Sequence, residues 1–309
     1  MPLYLPIAGL SLDLLLLLGM GLSVGVLAGL FGIGGGFILT PLLIFLGVPP
    51  SVAVGTGAAQ VVASSVSGAL SHWQRKNVDV KMGAVLIAGG IVGSVLGIRL
   101  QQILKSLGQL DFFIAATYVV MLGVVGSLML IESIGSMRGA QAGALPTKRN
   151  EDHHSMLQRL PLKLRFRTSK LYVSAIPPLV IGAFVGLLTA IMGIGGGFLL
   201  IPALIYMVRL PTRLAMGTSA FQIIFITAIT TMMQATQNQT VDVMLAAPLI
   251  LGGVIGAQIG VQLGNRLKAE QLRLLLGLLV VGVAIRMSVD LVRPPSDPFN
   301  LTVEKDAAK

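Results

Sequence analysis

The chain has 309 residues, 54% of them hydrophobic and 11% charged, with a net charge of +10 and no cysteine. Soluble domains carry roughly 25% charged residues, so this composition excludes an ordinary soluble protein and indicates an integral membrane one. The lack of cysteine excludes disulfides, thiolate metal sites and cysteine nucleophiles.

Met1 to Ser11 holds no Lys or Arg, which argues against a cleaved signal peptide, because that needs a basic start. The first apolar run, about Leu10 to Phe31, is long enough to span a bilayer. It ends in Gly32-Ile33-Gly34-Gly35-Gly36-Phe37. Consecutive glycines each cost about 1 kcal/mol against Ala in a helix, so a broken membrane helix is predicted here. The next run, Phe37 to Val48, is only about a dozen residues, a rise of about 18 Å, and Pro49-Pro50 ends it. The third run, Val52 to His72, carries a polar row, Thr56, Gln60, Ser64, Ser67 and Ser71, on one helical face. Trp73 to Asn77 follows with an aromatic and basic membrane-surface signature. Met82 to Leu100 has Gly89, Gly93 and Gly97 at the spacing that lets helices approach closely. Phe112 to Ile134 is the fifth run.

The character then changes. Residues 135–171 form a basic, polar connector that reads as cytoplasmic, and it includes His153-His154. Residues 172–292 repeat the plan of 1–134, and 293–309 form a polar tail. The glycine motif returns as Gly193-Ile194-Gly195-Gly196-Gly197-Phe198, offset by 161, and each copy is followed by a proline, Pro41 and Pro202. Ala53 to Thr56 aligns with Ala215 to Thr218 at an offset of 162, which pairs Gln60 with Gln222. Gly89-Gly90 pairs with Gly252-Gly253 at 163.

Charge selects the topology. Outside the connector and tail, ten Lys and Arg lie in or near short loops. With the connector inside and five crossings per half, they divide eight inside to two outside; with four crossings, three to seven. The positive-inside rule favours the first and accounts for the net charge without a nucleic-acid partner. The predicted fold is therefore all-α and polytopic: about ten membrane segments as an inverted five-plus-five repeat with two broken helices, both termini outside.

Such breaks, in matching places of two halves, point to a transporter's binding site. A helix start exposes free N–H groups and positive dipole, an anion site by default. The candidate substrate-binding residues are Gly34, Gly35 and Gly36 with Gly195, Gly196 and Gly197 for backbone donors, and Thr56, Gln60, Thr218, Ser219 and Gln222 for side chains. Glycines in membrane helices also serve packing, and Ser or Thr also bond the preceding turn. The two glutamines are harder to place in lipid without a partner. No acidic residue is found in the middle of these segments, so neither a carboxylate cation site nor a proton-coupling acid is identified. Asp13, Glu132, Arg286 and Asp290 lie near span ends, with Arg286 and Asp290 four apart and predicted to pair. No nucleophile–base constellation, metal site or cofactor motif is present, so no enzyme is indicated.

The two glycine breaks, Pro41 and Pro202, and Gly55-Thr56 matched by Gly217-Thr218 resemble the sulfite exporter TauE/SafE family over about residues 10 to 292. The resemblance implies a multi-pass permease of the cytoplasmic (inner) membrane, often an exporter, for sulfite, sulfoacetate or another small sulfur-containing or organic anion. The expected mechanism is alternating access. The expected partners are the anion and the bilayer, and a homo-oligomer is compatible with the chain. An anion channel and a non-transporting scaffold docked through the connector are the alternative classes.

Overall fold

The computed structural model describes residues 2–31, 35–141, 163–166, 169, 171–264 and 269–292. Gly34, His153-His154, most of the connector and the tail lie outside them. The described part is mostly helical. In the first half, helices α1 (Leu14–Phe31), α2 (Gly36–Phe45), α3 (Pro50–Gln74), α4 (Val80–Ser106) and α5 (Leu110–Gln141) follow in order. The second half repeats them as α6 (Ile176–Met192), α7 (Gly197–Tyr206), α8 (Thr212–Met233), α9 (Val243–Gly264) and α10 (Ala269–Val292). A π turn, Gln234–Asn238, extends α8.

Both glycine motifs interrupt the helix. Gly35 has φ 67° and Gly196 has φ 70°, left-handed values that L side chains rarely adopt. At ten residues each, α2 and α7 rise about 15 Å, half of a hydrocarbon core of about 30 Å. Five described helices are long and apolar enough to cross a membrane, and α1, α2, α6 and α7 are shorter apolar helices. The chain is thus a multi-pass membrane protein.

Two short antiparallel hairpins depart from the all-α expectation. Strands β1 (Pro2–Leu5) and β2 (Leu10–Asp13) precede α1, and β3 (Lys163–Phe166) and β4 (Leu171–Ser174) precede α6. The predicted first span therefore loses its opening residues to a strand, and the end of the connector is the second copy of that hairpin.

Packing follows the glycine stripes. Helix α1 lies along α9: a Cβ at Gly21, Gly25 or Gly29 would fall within 2.6 Å of the carbonyl oxygens of Leu249, Gly253 and Ala257. Helix α4 lies along α6 in the same way, Gly89 and Gly93 against Leu179 and Ala183. Residue numbers rise together in both contacts, so each pair runs parallel. The pairs formed by equivalent helices run antiparallel. On α5 and α10, Gly126 meets Val281 while Gly277 meets Leu130. On α3 and α8, the Trp73 ring packs on Phe221 at one end, and at the other Gly55 meets Thr240, just past the π extension of α8.

Candidate functional site

The two breaks touch each other. A Cβ at Gly36 would lie 2.9 Å from the Gly193 carbonyl and 3.1 Å from Ile194 Cα. The Phe37 and Phe198 rings, just inside the two short helices, sit 5.8 Å apart. Neither α2 nor α7 has a side-chain cap at its start. The Ile38 and Leu199 N–H groups turn back to the Gly35 and Gly196 carbonyls at 3.2 and 3.1 Å, so the N–H groups without a partner inside the helix are those of Gly36, Phe37, Gly197 and Phe198. Gly35, Gly36, Gly195, Gly196 and Gly197 are all buried.

The third helix of each half runs past this meeting point. Val61 of α3 packs against Gly36 and Gly195, and its equivalent Ile223 of α8 also packs against Gly195. The residues immediately before them are Gln60 and Gln222, both fully buried. All four amide heteroatoms of these two side chains lack a hydrogen-bond partner. Gln60 lies on Gly253 of α9, and Gln222 lies near Gly90 of α4, which are the glycines that the repeat aligns. The structure therefore brings five of the predicted glycines and both glutamines to one central region.

The hydroxyls behave differently. Thr56 Oγ1 accepts the Asp242 backbone N–H at 3.1 Å, and Thr218 Oγ1 accepts the Asp79 N–H at 3.1 Å. Each tie joins one half to the other. Ser219 Oγ donates to the Met216 carbonyl at 2.9 Å, the local back-bond typical of hydroxyls in helices. Of the charges near span ends, Arg286 and Asp290 approach to 3.9 Å, and Arg99 donates to Gln102 Oε1 at 3.3 Å.

Asp79 and Asp242 were not singled out by the sequence, yet both are only 1% exposed. Asp79 Oδ1 accepts Met82 N–H and so caps α4, while its Oδ2 accepts both the N–H and the Oγ–H of Ser169. Asp242 Oδ1 accepts the Met244 and Leu245 N–H groups at the start of α9, and its Oδ2 accepts Ile7 and Ala8 N–H. Each carboxylate thus pins the hairpin of the opposite half to its own helix start. The sequence held a usable signal: an Asp directly before an apolar run is a helix-start mark, and the two are offset by 163, as the glycine pairs are. A second group also escaped notice. Gln101, Gln234 and Asn238 form a buried amide cluster where α4 meets the π turn.

A family model described as "Sulfite exporter TauE/SafE" matches residues 17–287. A "Probable membrane transporter protein" of Xylella fastidiosa is 30% identical over 277 residues, covering 88% of this chain and 94% of its own. "Probable membrane transporter protein YjnA" of Bacillus subtilis is 28% identical over 273 residues, covering 87% and 97%. A plant relative, "Sulfite exporter TauE/SafE family protein 2" of Arabidopsis thaliana, is 29% identical over 119 residues, covering 38% of this chain and 25% of its own. No solved structure matches the chain at a significant level.

Proposed function

Because the chain belongs to the sulfite exporter TauE/SafE family, we propose that it is a secondary transporter moving a small sulfur-containing or organic anion, such as sulfite or sulfoacetate, outward across the cytoplasmic membrane. Transport proceeds by alternating access between two inverted halves, residues 1–134 and 172–292. The antiparallel packing of α3 on α8 and of α5 on α10 supports the inversion. An odd number of crossings per half turns each equivalent helix around, which is what five segments per half require.

One observation carries the site. Two symmetry-related amides, Gln60 and Gln222, are buried without a partner, each one residue before a side chain, Val61 or Ile223, that packs at the glycine breaks where two uncapped helices start. A buried amide without a hydrogen bond is destabilising, and it is kept where a ligand completes it. An anion offers acceptors to the amide N–H groups and to the free N–H groups of α2 and α7, and the dipoles of both short helices favour negative charge. The backbone donors are assigned to Gly34–Gly36 and Gly195–Gly197, and the side-chain donors to Gln60 and Gln222. Thr56 and Thr218 hold the halves in register through Asp242 and Asp79, and each retains its O–H for the anion.

Efflux of sulfite and sulfoacetate from proteoliposomes tests this reading. Saturable flux that falls at least about tenfold in Gln60→Leu and in Gln222→Leu is the expected result, a loss of about 1.4 kcal/mol or more of binding. Unchanged flux in both variants refutes the site, and no flux of any sulfur anion in the unaltered protein refutes the substrate class.

A further inference from the structure

The halves share one plan, so a place where their packing differs is informative. Toward the C-terminal end of α3 a cavity lies between the halves, among α1, α3, α8 and α9, with Gly29, Ser64, Ser65, Gly68 and His72 of the first half on its wall. A Cβ at Gly68 meets nothing within 4 Å. Two buried polar atoms there, Ser65 Oγ and His72 Nδ1, have no hydrogen-bond partner. Gln60, Ser64, Gly68 and His72 follow one another at four-residue steps, so the cavity lies on the α3 face that begins at the buried glutamine. Beyond His72 the chain runs into exposed Arg75 and Lys76.

The same positions of the second half are closed. Gly29, Ser65, Gly68 and His72 correspond to Ala190, Thr227, Thr230 and Gln234, and none of these is more than 1% exposed. Each is the bulkier partner or is tied down. Gln101 Nε2 and Gln234 Nε2 donate to the Ala190 carbonyl at 2.9 and 3.2 Å. Gln234 Nε2 also donates to Gln101 Oε1 at 2.7 Å, and Asn238 Nδ2 donates to both glutamine oxygens at 3.0 and 2.7 Å. Thr230 Oγ1 donates to Ser94 Oγ at 3.3 Å, and Lys105 Nζ donates to the Asn238 carbonyl at 3.1 Å. The π turn Gln234–Asn238 delivers two members of this cluster, and such turns recur at functional sites.

We propose that the Gln101–Gln234–Asn238 cluster is the closed gate on the access path between α4, α6 and α8, and that the Ser65–His72 cavity is the open chamber at the equivalent place between α1, α3, α8 and α9, receiving a small oxyanion from the face that carries Arg75 and Lys76. The proposal rests on the alternating-access reading above. Packed interiors switch between discrete arrangements, and in an inverted pair the two halves exchange arrangements as access changes side. A plug of neutral amides suits that exchange, because water replaces its hydrogen bonds when it opens, at little net change. Hydroxyl and imidazole donors without a fixed charge suit a chamber that must also release its anion.

The chain has no cysteine, so single thiols report accessibility without background. Gly68→Cys and Thr230→Cys occupy equivalent positions in chamber and gate. In membrane vesicles of defined orientation, a small charged methanethiosulfonate reagent modifies the first from the Lys76 face at least about tenfold faster than it modifies the second from either face. Adding Gln101→Met or Gln234→Leu removes hydrogen bonds of the closed state alone. Modification of Thr230→Cys then rises about tenfold from the opposite face, while that of Gly68→Cys falls, as a population shift requires. Equal rates at the two thiols before any gate change overturn the proposal. So do rates left unmoved by both gate variants, with the fold of each confirmed by its thermal transition. The rates need no transported anion. A protein that labels as expected yet moves no sulfur anion loses its substrate assignment and keeps its gate. One that transports but labels equally at both thiols loses the gate alone.

Discussion

Gln60 and Gln222 put a buried side-chain amide in each half with nothing to bond. An unsatisfied buried polar group costs about 1–3 kcal/mol, so each residue works against the stability of the empty protein. Leucine at either position removes that penalty and nearly preserves the volume. Gln60→Leu and Gln222→Leu should therefore raise the thermal transition of the ligand-free protein in detergent while abolishing flux. A lowered transition in both would mean that the amides already have partners in the empty state, and the donor assignment would fail with it. Ser219→Ala should do neither. Its Oγ bonds the Met216 carbonyl one turn back, and such a back-bond slightly destabilises a helix, so its loss should leave the transition nearly unchanged.

Asp79 and Asp242 act on elements. Each caps its own helix and holds a hairpin of the other half, so each ties two pieces of backbone together. Asp79→Ala removes a cap worth about 0.5–2 kcal/mol and leaves the Ser169 donors unsatisfied, for about 1–3 kcal/mol more. A drop of several degrees in the thermal transition is expected. Ser169→Ala added to it should change little further, because the two losses share one interaction; full additivity would separate the hairpin from the carboxylate. The hairpins were not legible in the sequence, and the aspartates were legible only as helix starts and not as latches, for different reasons. The strands are four residues long, and Leu10–Asp13 runs straight into an apolar helix, so its period of two is too short to separate from the run that follows. The aspartates stand at loop ends, where a carboxylate reads as solvated until the opposite half is seen to cover it. Gln101 stayed hidden because its equivalent is Gly264, so comparing the repeats marks nothing there. The broken helices and the glycine stripes were legible, because glycine leaves the same trace in both halves wherever backbone must bend or approach backbone.

For the whole molecule, the charges predict a count of turns in direction. Positive charges split eight to two only with five crossings per half, and the antiparallel packing of α3 on α8 and of α5 on α10 supports the inverted arrangement we propose. The membrane itself supplies the remaining test. Lys76 and Gln239 sit in equivalent turns after α3 and after the π extension of α8, both exposed and both left-handed at φ 56° and 54°. In an inverted repeat, equivalent turns lie on opposite faces, Lys76 inside and Gln239 outside. Lys76→Cys and Gln239→Cys, each alone in the cysteine-free chain, should then react with a membrane-impermeant maleimide from opposite sides of oriented vesicles. Reaction of both from one side would make the halves parallel. Both glycine breaks would then be approached from the same face, and the two short helices would lose the opposed entry that alternating access needs.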